Sequence, residues 1–405
     1  MENVLAILLA GGVGERLYPL TRDTAKPGVP FGGVYRIIDF TLSNCINSDV
    51  RKILILTQFK SLELHRHIRH GWNILSPELG EYIDIIPPMK RASESDWYSG
   101  TADAVYQNIA SIETERPDHI MILSGDHIYK MDYRQMIDVH RSKDADVTIA
   151  TTQVAPEEAY RFGVVQIDPE IRIRGFREKP RGTDVPRSAF NPNMVSVSMG
   201  IYAFEADVLI RELRRDAENP NSSHDFGKDV IPACMARGCA IAAYDFMDMN
   251  AKKARYWRDV GTIDAFYEAN MDLCDVTPEF NLYDAKWPIH VRSMQQPPAK
   301  FVFGDEGVRM GVAIDSIVSA GCIISGGRVI HSVLSPGVRV HSYSDVDHSI
   351  LMPNVGVGRY SKVRRAILDN GVELPPHSSV GFDAEADRAK GYIVTEAGIT
   401  VVQNG

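Results

Sequence analysis

Val4-Leu5-Ala6-Ile7-Leu8-Leu9-Ala10-Gly11-Gly12-Val13-Gly14-Glu15-Arg16 opens the chain with an apolar run that ends abruptly in glycines. A short, Leu- and Ile-rich run bounded by glycine reads as a buried strand. Gly11, Gly12 and Gly14 can adopt backbone angles closed to other residues, so their N–H groups can approach phosphate oxygens closely. Ala10 belongs to that loop. No Gly-Lys-Ser/Thr follows, which excludes a Walker A loop. Leu17 stands where the dinucleotide fingerprint needs its third glycine. Arg16 adds an always-charged fork suited to a triphosphate. Ten residues on, Ala25-Lys26-Pro27 supplies a second cation on a stiff segment. The stretch predicts a phosphate-gripping loop at the end of a strand.

The texture continues outward from it. Val4–Leu9, Lys52–Thr57, His119–Ser124 and Asp146–Thr151 read as strands. Ile37–Ser48, Ser61–His70, Thr101–Glu113 and Tyr133–Ser142 have helical periodicity. Such alternation implies an α/β fold, a Rossmann-like, mostly parallel sheet with helices on both faces. Ligands then bind beyond the C-terminal strand ends, after Leu9, Leu56 and Leu123. This domain is expected over residues 1–275.

Pro278, Pro288, Pro297 and Pro298 mark 276–305 as a connection. From 306 to 405 a different domain is expected. Between 311 and 380, Val, Ile and Leu supply 23 of 70 residues, with no Phe or Trp. Apolar residues recur every five to six positions: Ile317, Ile323, Val329, Leu334, Val340, Val346, Leu351, Val357, Val363 and Leu368. A helix needs 3.6-residue spacing and fewer glycines. The pattern is that of a hexapeptide β-helix, with an irregular β-sandwich as the alternative.

Composition excludes other classes. The net charge is −9, so a nucleic-acid-binding surface is not expected. The five cysteines are widely spaced, without CxxC, which argues against a disulfide framework or zinc site. The apolar run at the N-terminus is too short to span a bilayer. The expectation is a cytoplasmic protein with neither nucleic acid nor membrane as partner.

Gly-Gly-x-Gly-x-Arg-Leu-x-Pro-Leu-Thr, from Gly11 to Thr21, resembles the opening of the sugar-nucleotide pyrophosphorylases. Tyr35-Arg36-Ile37-Ile38-Asp39-Phe40, Gly125-Asp126-His127-Ile128-Tyr129-Lys130, Ser222-Ser223-His224-Asp225-Phe226-Gly227-Lys228-Asp229 and Tyr256-Trp257-Arg258-Asp259-Val260-Gly261-Thr262 narrow the resemblance to the glucose-1-phosphate adenylyltransferases of bacterial glycogen synthesis. It covers nearly the whole chain and implies a left-handed parallel β-helix at the C-terminus. It also implies transfer of the adenylyl group of ATP to α-D-glucose 1-phosphate, Mg²⁺ as cofactor, and a homotetramer. The open alternatives are a related pyrophosphorylase using another nucleotide or sugar phosphate, and a catalytically silent regulatory subunit.

By that resemblance, Ala10, Gly11, Gly12, Gly14, Arg16, Lys26, Gln58, Gly100 and Thr101 belong to ATP. Tyr98, Gly163, Glu178, Lys179, Ser198 and Asp225 belong to the sugar phosphate. Asp126 and Asp259 bind the metal, and Arg16, Lys26, Asp126 and Lys179 carry catalysis. Trp97 and Trp257 read as core packing and stay outside the site.

The family is commonly controlled by anionic effectors, and here the pattern departs from it. Asp23 and Thr24 precede the Ala-Lys-Pro triplet where relatives carry basic residues. Pro30 replaces a histidine, and Met89 and Lys90 replace paired glutamines. Arg36, Arg364 and Arg365 remain as candidate effector contacts. Sugar-bisphosphate activation is therefore expected to be weak, absent or replaced by another effector.

Overall fold

The computed structural model describes residues 1, 3–12, 14–88, 97–182, 185–248, 253–305 and 309–404. Val13, Met89 and Lys90 lie outside the described residues.

β1 (Val4–Ala10) is the centre of a nine-stranded sheet. β2 (Lys52–Thr57) and β4 (His119–Ser124) flank it in parallel, and β3 (Tyr82–Ile86) extends the run beyond β2. All three ends point the same way, which brings Ala10, Thr57 and Ser124 to one edge. The sheet then becomes mixed. β9 (Val195–Glu205) runs antiparallel to β4, to β6 (Val147–Val154) and to β7 (Gly163–Ile167). β7 pairs antiparallel with β8 (Ile173–Glu178), and β6 pairs in parallel with β10 (Ile241–Asp245). The expected parallel arrangement holds for β3-β2-β1-β4, where strand–helix alternation sets the direction. β9 follows β8 without an intervening helix, so nothing constrains it to run parallel.

Side-chain alternation along β1 explains why both faces are covered. Leu5 and Ile7 enter one apolar cluster, while Val4, Ala6 and Leu8 enter another. The first cluster is closed by α3 (Thr101–Tyr106), α4 (Ile109–Glu115) and α6 (Ala206–Ala217). The second is closed by α1 (Ile37–Asn47), α2 (Leu62–Gly71) and α5 (Tyr133–Ser142). The single helix expected over Thr101–Glu113 is broken at Gln107–Asn108. The buried Asn108 amide donates to the Ala104 carbonyl at 2.8 Å and to the Tyr98 hydroxyl at 3.2 Å. A side chain that satisfies a backbone carbonyl offers the chain an alternative to the helical ladder.

The C-terminal repeats form a parallel β-helix with three faces. Val329, Val346, Val363 and Val380 stack in register on one face, 17 residues apart. The six-six-five spacing of the sequence is therefore one coil. Its first coil departs from the expected pattern. Ile323 and Ile317 are only half-buried, and Ile324 and Val318 pair with Val340 and Leu334. That coil is 16 residues long, and a shift of one residue reverses which side chains face inward. The strand Lys300–Val302 already pairs with Ile323–Ser325, so the β-helix sheet begins before that coil, inside the stretch 276–305.

The remainder of that stretch is strapped to the N-terminal part. Trp287 Nε1 donates to Asn44 at 2.9 Å, and the His290 N–H donates to the Ser43 hydroxyl at 2.8 Å. A shared core joins the two parts: Phe31, Phe40 and Phe266 pack with Ile350, Ile367 and Val401.

At the sheet edge away from the ligand loops, His140 is wholly buried. Its Nδ1 is 2.8 Å from Thr148 Oγ1, and its Nε2 is 3.2 Å from Glu205 Oε1. Burial, with His119 and Arg141 alongside, pushes its pKa down to about 4. The folded state therefore needs neutral His140. The stability this contributes is complete above the unfolded value near 6.5 and is lost as the pH falls toward 4. Urea titrations of wild type and His140→Asn should show the wild type losing roughly 3 kcal/mol more between pH 7 and pH 4.

Candidate active site

The ends of β1, β2 and β4 open into a cleft of about 690 Å³. Of the residues assigned to substrates and metal by the sequence, all except Gly14 line it. Gly14 turns the chain instead, at φ 69°, with Thr21 and Lys26 packed against it. Gly12 faces open space, whereas a Cβ at Gly11 would lie 3.1 Å from that of Gln58. The Gln58 amide reaches the Tyr98 carbonyl at 3.4 Å.

Lys26 lies in a short 3-10 turn, Lys26–Gly28, held from behind. Arg36 Nη1 donates to the Gly28 carbonyl at 2.6 Å. The Arg36 N–H in turn donates to Asp39, whose other oxygen accepts from His67 and Trp72. Lys26 is thereby aimed between two carboxylates, 2.7 Å from Asp126 Oδ2 and 3.2 Å from Asp259 Oδ1. Burial works against both charges here. The Asp126 carboxyl is nevertheless held well below its ordinary range by the Lys26 ammonium, His127 and hydrogen bonds from Lys26 and Ser124. The two carboxylates raise Lys26 in return.

Two separate ladders bring the aspartates together. Asp126 follows β4. Asp259 ends β11 (Trp257–Asp259), which pairs with β5 (His127–Tyr129), so that Asp259 stands opposite His127. Oxygen and nitrogen atoms of Asp126, His127 and Asp259 all lie within 4.8 Å of one another.

The far end of the cleft is built differently. Glu178 ends β8, and its Oε1 is 3.3 Å from Lys179 Nζ. Its carboxylate occupies space that Gly163 and Gly227 leave open. A Cβ would stand 2.8 Å from Glu178 Oε2 at Gly163 and 2.6 Å at Gly227. Ser198 reaches the cleft because β9 bulges between Ser198 and Tyr202, with Gly200 at φ 69°. Asp225 is largely occupied by the chain itself. Its Oδ1 caps the turn at Gly227 and Lys228, and its Oδ2 accepts from Thr101 Oγ1 at 3.1 Å. Gly100 must be glycine, because a Cβ would fall 2.3 Å from the His224 carbonyl.

The three arginines named as effector contacts each have partners within the chain. Arg36 braces Gly28. Arg364 faces Asp347 at 3.7 Å, and Arg365 lies over the Tyr267 ring and donates to the Ala397 carbonyl. Among the described residues no contact joins Arg36 to the other two. Trp97 and Trp257, read as core, stand in the cleft wall. Trp97 is half exposed and stacks on Phe59 at 4.9 Å. Trp257 packs edge-on against His127 at 5.0 Å and tilts against Phe162 at 5.4 Å. Ser124, His127 and Gly227 were also missed. Their only sequence signal is adjacency to Asp126 and Asp225 within the quoted motifs.

A glycine loop with two cations, a carboxylate pair and a Lys–Glu pair, all lining one cleft, define a nucleotidyl transferase. The family model described as nucleotidyl transferase matches residues 5–276, and the model described as GlmU-like, C-terminal hexapeptide matches residues 297–402. The chain is 58% identical over 403 residues to the glucose-1-phosphate adenylyltransferase of Koribacter versatilis (strain Ellin345), covering 99% of this chain and 95% of the relative. The proteins of that name from Rhodopirellula baltica and Methylococcus capsulatus are 51% and 50% identical, over 100% and 99% of this chain and 91% and 93% of their own lengths. The chain belongs to the glucose-1-phosphate adenylyltransferase family. Among the described residues, no helix is long and apolar enough to cross a membrane.

Proposed function

We propose that the protein transfers the adenylyl group of ATP to α-D-glucose 1-phosphate, giving ADP-glucose and pyrophosphate, as a step toward α-glucan synthesis. One observation carries this reading: the triphosphate-type cations, the carboxylate pair and the Glu178–Lys179 pair all line one cleft. The full-length relatives of that name support the choice of substrates.

The attacking phosphate oxygen is ionised at neutral pH, so no general base is needed. Catalysis is alignment plus charge stabilisation. Lys179 holds the sugar phosphate in line, and Glu178 accepts from sugar hydroxyls. Arg16 and Lys26 neutralise the phosphates that leave as pyrophosphate. Gln58, Gly100 and Thr101 lie along the base, with Tyr98 beside the nucleotide sugar.

The donor set fits a hard divalent cation. Two carboxylates converge on a single point now neutralised by Lys26, and Mg²⁺ commonly takes one or two carboxylates plus substrate phosphates. Asp126 and Asp259 would hold it. When bound, the ion supplies positive charge to the phosphate oxygens that gain charge in transfer. All the catalytic candidates are present and face the cleft, which disfavours a silent regulatory subunit.

The test is pyrophosphate release with ATP, UTP, dTTP and GTP against a panel of sugar 1-phosphates. ATP with glucose 1-phosphate should give the highest kcat/KM. Absence of turnover with that pair would overturn the proposal.

A further inference from the structure

Asp126 does not present its two oxygens equally. Oδ1 is enclosed by its own turn: the Ser124 hydroxyl donates to it in a short hydrogen bond, and His127 Nε2 faces it from 3.4 Å. Oδ2 points the other way, toward Lys26 Nζ at 2.7 Å, and Asp259 Oδ1 lies 3.2 Å from that same nitrogen.

Neither group holding Oδ1 can easily turn away. Ser124 ends β4 and His127 begins β5, so both are fixed by strand pairing. The turn between them is pinned where the Gly125 N–H donates to the Leu9 carbonyl at 3.1 Å. A Cβ at Gly125 would crowd that oxygen at 3.2 Å. The His127 ring is held edge-on by Trp257, at 5.0 Å and 69°. Among the described residues His127 Nδ1 is buried without a partner, so the ring places an N–H at Nε2, facing the carboxylate.

We propose that Ser124 and His127 are positioning residues that fix Oδ1 of Asp126, so that Oδ2 joins Asp259 in holding the divalent cation. This rests on the adenylyl-transfer reading above. A carboxylate free to rotate could take the ion with both oxygens and fill positions that substrate phosphates need. Mg²⁺ demands near-octahedral geometry and tolerates little such disorder. Groups that orient a ligand commonly set metal affinity by about 10- to 100-fold.

Mn²⁺ is the probe, with its free signal followed by electron paramagnetic resonance during titration of the full chain. Ser124→Ala and His127→Phe should each weaken Mn²⁺ binding about tenfold or more. The Mg²⁺ concentration for half-maximal turnover should rise by the same factor, while KM for glucose 1-phosphate moves less than about twofold. Ser124→Thr keeps the hydroxyl and should restore both. Unchanged Mn²⁺ affinity in both variants would overturn the assignment even in a protein that makes ADP-glucose. Nitrogen modulation of the bound Mn²⁺ signal in wild type would overturn it for His127, by making the ring a ligand. Wild-type protein that binds Mn²⁺ but makes no ADP-glucose would instead sink the functional reading.

Discussion

Asp126→Asn is expected to lower kcat about a thousandfold while ATP binding stays close to that of wild type. The substitution keeps the size of the side chain and leaves an oxygen that can accept from Ser124. It removes the charge. In the folded protein that charge sits 2.7 Å from Lys26 and faces Asp259 across the same ammonium. Two carboxylates about 4 Å apart repel by roughly 4 kcal/mol at an effective dielectric near 20. The pair is held together by the Lys26 ammonium in the free protein, a place that the proposed reading gives to the divalent ion during turnover. Loss of one carboxylate weakens the ion where phosphoryl charge develops, which is worth several kcal/mol. ATP keeps its contacts with Arg16, the glycine loop and the base-side residues. The measurement pairs pyrophosphate release with equilibrium dialysis of ATP. Turnover within about tenfold of wild type would show that Asp126 is not a metal ligand.

Much of this site was legible because its anchors sit at the ends of strongly patterned strands. The runs 52–57 and 119–124 end as the sequence predicts, and the glycine loop follows β1 directly. Local pattern could not show which distant residues meet there. Asp259 and Lys179 carry no periodic signal, and only the family resemblance placed them in the cleft. Their meeting depends on the register of β11 with β5 and on the tight hairpin β7–β8. The misreadings have physical causes. Asn108 breaks a helix because its amide satisfies a carbonyl that the ladder would otherwise use. The first coil of the β-helix is one residue short, which turns Ile317 and Ile323 away from the β-helix interior, Ile317 packing instead against the shared core. Trp257 packs against the second apolar cluster, as large aromatics usually do, and against His127 and Phe162, yet it also lines the cleft. Arg36 braces the Gly28 carbonyl, a role that nothing in the sequence signals.

Lys179→Gln should raise KM for glucose 1-phosphate by about 10- to 100-fold, with KM for ATP changed less than about threefold. The side chain is mostly exposed in the free protein, and its ammonium lies 3.3 Å from Glu178 Oε1. It contributes little to stability, since an exposed ion pair is worth at most about 1 kcal/mol. Its backbone is nonetheless committed to one geometry. Lys179 adopts φ 42°, which is costly for a residue with a Cβ. The Lys179 N–H donates to the Phe162 carbonyl at 3.0 Å, and Pro180 follows directly. A strained backbone under an otherwise idle ammonium makes sense if the ammonium is aimed at something absent from the free protein. A charge-assisted bond to phosphate is worth about 1.5–3 kcal/mol, which sets the size of the expected effect. Glutamine can still donate one hydrogen bond but carries no charge, so binding should weaken more than kcat. The split between substrates is the decisive part. Lys179 and Arg16 come from segments far apart in sequence, and both line the cleft together with the carboxylate pair. An equal rise in KM for ATP would mean that Lys179 serves the triphosphate, and the two ends of the cleft would have to be exchanged.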